Sequence, residues 1–119
     1  MENPLNTKGK VVLVPFPFDD LSAIKVRPAV CLTQPIGAYQ HILLAFITSR
    51  ISDNPLPTDI ILDTSHRDFS LSGLAKPSTL RLHFLMTARI SLILRELGTL
   101  SESTQADIYR RLCLLFSSS

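Results

Sequence analysis

The chain has 119 residues, 45% of them hydrophobic and 18% charged, and its formal charge is only +2 at neutral pH. This length suits one domain with one core, and the composition excludes a disordered chain. The weak positive charge does not by itself indicate a nucleic-acid binder, although it is compatible with a local basic patch. The large apolar share also favours a surface that a second copy of the chain covers.

The sequence shows no pattern for export, membrane insertion or metal binding. The N-terminus lacks the basic and apolar segments of a secretion signal, and the apolar runs are too short to span a bilayer. Cys31 and Cys113 lie in apolar runs without metal-ligand spacing, so we expect free, buried thiols. We therefore expect a cytoplasmic protein with one domain over residues 1–119, loose ends at residues 1–7 and 117–119, no membrane contact, no metal and no cofactor.

The first half of the chain predicts four short strands. They are expected at Lys10–Val14, Pro28–Thr33, His41–Thr48 and Asp59–Asp63. Pro15 and Pro17 are expected to stop the first strand, because proline has no backbone donor for the ladder. The intervening segments are predicted as a loop over Phe18–Val26, a turn over Pro35–Ala38 and a loop over Arg50–Thr58.

The second half begins with a polar connection over Thr64–Lys76. The next segment, Pro77–Leu85, alternates like a half-exposed strand. Its alternation places Leu80, Leu82 and Phe84 on one face and Thr79, Arg81 and His83 on the other. Residues 87–97 are ambiguous, and we favour a helical turn near Ala88–Ile93 that leads into a short strand ending before Gly98.

The last element is predicted as an amphipathic helix. Ser101 is a suitable N-cap, and Glu102 stands in the first turn, where the helix dipole favours an acid. The residues with helical spacing on one mostly apolar stripe are Gln105, Ile108, Tyr109, Leu112, Cys113 and Phe116. Several short strands followed by one helix predict a mainly β protein, a small curled sheet or barrel with a C-terminal helix.

A fixed cation stands where the second apolar run begins. Arg27 follows the polar loop directly, at the rim of whatever that loop encloses. A guanidinium in such a place suits a phosphate or a carboxylate ligand. An ordinary surface ion pair with Asp19 or Asp20 is the alternative, and those two aspartates are otherwise typical turn residues.

Four segments, taken together in this order, resemble the PemK/MazF family of type II toxin–antitoxin ribonucleases. They are Gly9–Val14, Lys25–Val30 with its Arg-Pro strand entry, Phe46–Ser49 with its Ile-Thr-Ser strand end, and Gly73–Ser78 followed by Leu97–Ser101. The resemblance covers about Gly9 to Phe116. Lys10 departs from it, because an aspartate is common at that position.

The resemblance implies a compact SH3-like β-barrel with helices and, usually, a homodimer. It also implies metal-independent cleavage of single-stranded RNA. The implied protein partner is a small antitoxin whose acidic, partly disordered tail covers the RNA groove.

The resemblance places the two catalytic positions of the family at Arg27 and Thr48. An arginine supplies a permanently charged bidentate clamp for phosphoryl oxygens, and a threonine hydroxyl supplies a small rotatable donor. Because Arg27 starts one predicted strand and Thr48 ends the next, antiparallel pairing would bring both to the same end of the sheet. A strand-end threonine that bonds only to backbone is the structural alternative for Thr48.

Five further residues are candidates for RNA binding. They are Lys25, Ser49, Arg50, Arg81 and His83. Each has an ordinary surface role as its alternative. The segment from Asp19 to Val26 is expected to form one wall of the groove.

The chain departs from the family pattern at His83 and Phe84. Many relatives carry a polar or acidic residue followed by Gln or Lys there, so base recognition should differ if Phe84 lines the groove. A degenerate member that binds its antitoxin without cleaving RNA is therefore a second hypothesis. A peptide-binding SH3-like domain is a third, although the chain has no Trp and only two Tyr for the aromatic groove that it needs.

Overall fold

The computed structural model describes residues 6–17 and 24–117, and within them it forms six strands and two α-helices. The strands are β1 Lys10–Pro17, β2 Ile24–Cys31, β3 His41–Thr48, β4 Asp59–Leu62, β5 Ser78–Arg89 and β6 Arg95–Thr99. The helices are α1 Phe69–Ser72 and α2 Glu102–Ser117, and a 3₁₀ turn spans Ile90–Leu92.

All six strands belong to one curled antiparallel sheet. Their order across the sheet is β4-β5-β3-β2-β1-β6, which places β3 and β2 at its centre. The His41–Thr48 strand is central because its residues are almost all apolar, and it has the predicted bounds. The prediction of a mainly β fold with a C-terminal helix is confirmed.

Apolar side chains cover both faces of the sheet. Neighbours in β1 alternate between them: Val11 belongs to the cluster under α2, and Val12 to the cluster on the opposite face. Ile108 of α2 is fully buried in the first cluster, and Phe16 packs against the second. Burial on both faces explains why the strands read as continuous apolar runs.

The first two strands extend beyond the predicted limits at Pro15 and Pro28. β1 continues through Pro15 to Pro17, and β2 already begins at Ile24. The described ladder between β1 and β6 ends at Leu13, so β1 pairs only with β2 beyond that point. Prolines are tolerated there because one side of the strand has no ladder bond to lose. Most of the predicted Phe18–Val26 loop, residues 18–23, lies outside the described residues.

Strand β5 carries a three-residue bulge. Ala45 of β3 pairs with Leu85, but the next residue of β3, Phe46, pairs with Arg81, so Leu82, His83 and Phe84 have no opposite residue. The predicted alternation fails here: Leu82 is buried with Leu80, whereas Phe84 is 49% exposed. An inserted segment resets which face each following residue occupies.

The predicted polar connection before β5 contains the short helix α1. Asp68 is buried at its start, and Oδ2 of Asp68 accepts hydrogen bonds of 2.8 Å from both the backbone N–H and the hydroxyl of Ser101. Ser101 precedes α2, as predicted for its N-cap, and its Oγ accepts a long bond of 3.4 Å from the Thr104 N–H. Asp68 therefore fixes the start of α2 from outside that helix.

Two residues of the predicted apolar stripe of α2 are exposed. Ile108 is buried and Tyr109 and Leu112 pack on the core, but Cys113 and Phe116 are exposed. The prediction of a buried thiol is therefore wrong for Cys113. It is confirmed for Cys31, whose burial raises the pKa of its thiol to about 12.

The termini are ordered further out than predicted. Thr7 is buried, and its hydroxyl donates a 2.7 Å bond to the carbonyl oxygen of Thr33. Ser117 is the last residue of α2. The remainder of the predicted loose ends, residues 1–5 and 118–119, lies outside the described residues. Among the helices that are described, none combines the length and apolarity needed to cross a membrane.

Candidate active site

A cavity of about 460 Å³ opens at the end of the sheet where β3 finishes. Its polar lining is Arg27, Thr48, Arg50, Ser52, Asp59, Thr79 and Arg81, and its apolar lining is Phe16, Phe46, Ile47, Ile51 and Phe84. Three arginines against one aspartate leave an excess of positive charge. The cavity therefore suits an anionic ligand that also has apolar surface.

The strand register brings Arg27 and Thr48 to the same point of the cavity. The described ladder between β2 and β3 ends at the pair of Ala29 and Phe46, and the same antiparallel register extended by two residues relates Arg27 to Thr48. Both line the cavity. The expectation that these two positions share one end of the sheet is therefore confirmed, while their chemical roles stay a prediction.

The hydroxyl of Thr48 is partly engaged by the backbone. Its Oγ1 accepts a 3.2 Å hydrogen bond from the backbone N–H of Arg50. This bond uses an oxygen lone pair, so the hydroxyl proton stays available for donation to a ligand. The same turn is fixed from β5, because the Thr79 hydroxyl donates a 2.9 Å bond to the carbonyl oxygen of Arg50.

Arg81 is held by a buried carboxylate. Its Nε donates a 3.4 Å hydrogen bond to Oδ1 of Asp59, whose side chain is 1% exposed, and Oδ2 of Asp59 accepts a 2.9 Å bond from the Leu56 N–H. The contact through Nε leaves the two terminal amino groups of the guanidinium for a ligand. Arg81 is thus better ordered than an exposed arginine, which loses rotamer freedom when it binds.

Helix α2 supports the same aspartate from behind. Nη1 of Arg111 donates bonds of 2.6 Å to the carbonyl oxygen of Asp59 and 2.9 Å to that of Pro57, and its Nε donates a 3.1 Å bond to Asp107. The turn that presents Asp59 to the cavity is therefore attached to the terminal helix.

Aromatic rings form much of the apolar lining. Phe16 and Phe46 pack with their centroids 4.3 Å apart and their planes tilted by 55°. Phe84 lies on the β5 bulge, with the guanidinium carbon of Arg81 5.7 Å from its ring centroid. The cavity thus offers aromatic surface beside its cations.

Four of the seven predicted site residues line the cavity, and three do not. Arg27, Thr48, Arg50 and Arg81 line it, whereas Lys25, Ser49 and His83 are exposed outside its lining. Lys25 faces solvent on β2. The ring of His83 packs 4.6 Å from that of Phe84, so it touches the cavity wall from outside.

The predicted groove wall and the proposed aspartate partners of Arg27 are only partly described. Asp19 and Asp20 lie outside the described residues, as does most of the segment from Asp19 to Val26. Its last residues, Lys25 and Val26, are exposed on β2.

Sequence reasoning missed Asp59 and the position of Phe84. Asp59 was expected only as a strand start, and nothing in its neighbours indicates a buried carboxylate against Arg81. The placement of Phe84 depends on the bulge, which strict alternation hides. Within residues 6–17 and 24–117, no three His, Cys, Asp or Glu side chains form a group that could hold a metal ion.

The chain matches one known protein family over most of its length. Residues 7–116 match the family described as PemK-like, MazF-like toxin of type II toxin–antitoxin system. The chain belongs to this family. No individual curated protein matches its sequence.

Solved structures of PemK/MazF-type proteins share the fold at low identity. The Mycobacterium tuberculosis toxin MazF-mt6 is 19% identical with a TM-score of 0.69, over 92% of this chain and 98% of that chain. A MazE–MazF structure from Deinococcus radiodurans is 17% identical with a TM-score of 0.73, over 98% and 100%. A mycobacterial endoribonuclease in complex with its cognate antitoxin is 14% identical with a TM-score of 0.69, over 98% of each chain.

Proposed function

We propose that this toxin-family chain is an endoribonuclease that cleaves single-stranded RNA without a metal ion. The observation that carries the proposal is the convergence of Arg27, Thr48, Arg50 and Arg81 on one cavity with aromatic walls. Cations suit the phosphates of RNA, and aromatic rings suit unpaired bases. The family match to type II toxins supports the same reading.

The proposed reaction uses the RNA's own 2′-hydroxyl as the nucleophile. Its oxygen attacks the adjacent phosphorus as its proton passes to water, the bond from phosphorus to the 5′-oxygen breaks, and that oxygen takes up a proton from water. The products are a 2′,3′-cyclic phosphate and a 5′-hydroxyl end. Negative charge accumulates on the phosphoryl oxygens in between, so the protein's main task is electrostatic.

Arg27 is proposed as the phosphate clamp and Thr48 as a neutral donor to the same phosphoryl group. The guanidinium of Arg27 stays charged at physiological pH, so it is better suited to stabilising charge than to removing a proton. The Thr48 hydroxyl keeps its proton for this purpose because its oxygen already accepts the Arg50 N–H. Arg50 and Arg81 are proposed to bind flanking phosphates, and Lys25, Ser49 and His83 to contact RNA from outside the cavity.

We further propose that the chain is a single cytoplasmic domain that acts as a homodimer and is neutralised by an antitoxin with an acidic tail. Two structures that contain an antitoxin support the last point, because the MazE–MazF structure and the endoribonuclease in complex with its cognate antitoxin share this fold. The excess of arginines in the cavity suits an acidic segment as well as RNA.

RNA cleavage by the purified chain tests the proposal. A random single-stranded RNA pool is incubated with wild type and Arg27→Ala in excess EDTA, with the exposed Arg67→Ala as matched control. Wild type and the control should cleave alike, and Arg27→Ala should lose at least about a hundredfold in rate. Absence of cleavage by folded wild type would contradict the proposal and favour a degenerate member that only binds antitoxin.

A further inference from the structure

We infer that Phe84 is a stacking platform for one base of the bound RNA, held by the β5 bulge beside the arginines of the cavity. The inference rests on the proposed ribonuclease function and deepens it, because it assigns a base-binding position to the site. Phe84 is a large apolar side chain that the fold leaves exposed to solvent.

The exposure of this ring depends on three residues of β5 that have no pairing partner on β3. Leu82, His83 and Phe84 lack opposite residues on β3, and the described ladder between β5 and β4 ends at Arg81. Regular pairing would direct Phe84 toward the core with Leu80. The bulge instead keeps Leu82 buried and leaves Phe84 49% exposed on the cavity wall.

The neighbours of Phe84 contact its ring and leave the residue 49% exposed. The Arg81 guanidinium lies 5.7 Å from its centroid, and the His83 ring lies 4.6 Å away with the planes tilted by 50°. Arg81 is in turn fixed by the buried Asp59. An aromatic face next to an ordered cation matches the alternation of base and phosphate along a single strand.

Tyr39 provides a comparison within the chain. It is 66% exposed, and the Arg89 guanidinium lies 4.9 Å from its ring, so it forms a similar aromatic–cation pair. Tyr39 is not part of the cavity lining. An effect of RNA bound in the cavity should therefore be detected at residue 84 and not at residue 39.

Tryptophan fluorescence tests the inference directly, because the natural sequence contains no tryptophan. Phe84→Trp and, as matched control, Tyr39→Trp are titrated with single-stranded RNA that carries 2′-O-methyl groups and cannot be cleaved by 2′-hydroxyl attack. Binding is followed independently by the anisotropy of a label on the RNA. We expect RNA to quench the emission of the Phe84→Trp protein and to leave that of Tyr39→Trp unchanged.

A second variant measures the contribution of the ring to affinity. Phe84→Leu keeps an apolar side chain but removes the π-face, and it should weaken binding of the same RNA about five- to hundredfold. An oligomer with the same backbone but no bases should bind wild type and Phe84→Leu equally. A loss of affinity for the baseless oligomer as large as that for RNA would overturn the inference, because the ring would then support the backbone contacts.

The outcomes separate this inference from the proposed function. If wild type binds RNA but neither quenching at residue 84 nor weaker binding by Phe84→Leu is seen, the stacking platform is wrong and the ribonuclease proposal stands. If wild type neither binds nor cleaves RNA, both are wrong. Equal quenching at residues 84 and 39 would also overturn the inference, because the contact would not be specific to the cavity.

Discussion

Arg81 donates a hydrogen bond from Nε to the buried carboxylate of Asp59, over 3.4 Å. The pair joins the wall of the cavity to the turn before β4, because the other carboxylate oxygen of Asp59 accepts the Leu56 N–H. One side chain thus orders both a loop and a cation that we propose to bind RNA.

Asp59→Asn should raise the KM for RNA cleavage by about three- to tenfold, which corresponds to the net free energy of one hydrogen bond. Arg81 and Leu56 donate to the two different carboxylate oxygens of Asp59, and an amide has an oxygen at only one of these positions, so one of the two bonds is lost. Steady-state cleavage kinetics measure the effect. Asp53→Asn removes the same charge from an exposed loop position and serves as control. An unchanged KM in Asp59→Asn would show that the carboxylate does not position Arg81.

Thr48→Val should lower kcat by about a hundredfold with a smaller change in KM. Valine keeps the shape of threonine but cannot donate to a phosphoryl oxygen as charge develops there. Thr48→Ser retains the hydroxyl and should recover most of the rate, while the exposed Thr64→Val should behave as wild type. Single-turnover cleavage separates this chemical step from binding. Normal turnover by Thr48→Val would leave the threonine with a backbone role alone.

Asp68 should make the free energy of unfolding depend on pH in the acid range. Its burial raises the pKa, but hydrogen bonds from Thr104 and Ser101 outweigh that effect, and the pKa lies below the ordinary 3.8. A depressed pKa means that this stabilisation is complete above the unfolded value and is lost as the pH falls through the folded value.

Asp68→Asn should therefore reduce the free energy of unfolding by about 2 kcal/mol at neutral pH. The difference from wild type should shrink from about pH 5 downward. Urea unfolding over a pH series gives both numbers, with Asp53→Asn as the control for charge loss alone. A difference that stays constant with pH would mean that the Asp68 carboxylate does not contribute through its ionised form.

Gly73→Ala and Gly37→Ala form a matched pair, because both glycines have a φ of +73°. Alanine at Gly37 meets no atom within 4 Å, so only backbone strain of about 1 kcal/mol applies. A Cβ at Gly73 would lie 2.0 Å from the carbonyl oxygen of Leu97, which adds about 1–3 kcal/mol for the forced shift between α1 and β6. Thermal or urea unfolding of the two variants measures the difference, and equal losses would contradict the close packing.

The regular parts of this fold are readable from local sequence because local chemistry determines them. His41–Thr48 is almost all apolar and is a central strand with the predicted bounds, and Ser101 precedes α2 as its N-cap residue. Pro15 misled the prediction, since the end of the described β6 ladder at Leu13, which leaves β1 paired with β2 alone, is a property of the tertiary fold. Cys113 and Phe116 misled it too, because helical spacing does not reveal which residues of an apolar stripe the rest of the fold covers.

Only those residues of the candidate site that lie at strand ends could be predicted from the sequence. Arg27 and Thr48 follow from the antiparallel order of two recognisable strands. Asp59 and Phe84 do not, because one depends on burial against a distant arginine and the other on three residues omitted from a ladder. Both depend on contacts or pairing that residue spacing does not encode.

The bonds from Arg111 to the Asp59 turn have a consequence for heat inactivation. Arg111 of the terminal helix bonds to the carbonyl oxygen of Asp59, and the carboxylate of Asp59 bonds to Arg81. Unfolding of that helix would therefore release Asp59 and, with it, the Arg81 cation of the cavity. The helix and the cavity therefore belong to one cooperative unit. On heating, the half-life of the site should equal that of the helix, with no range of temperature in which the sheet persists but its cavity has lost shape.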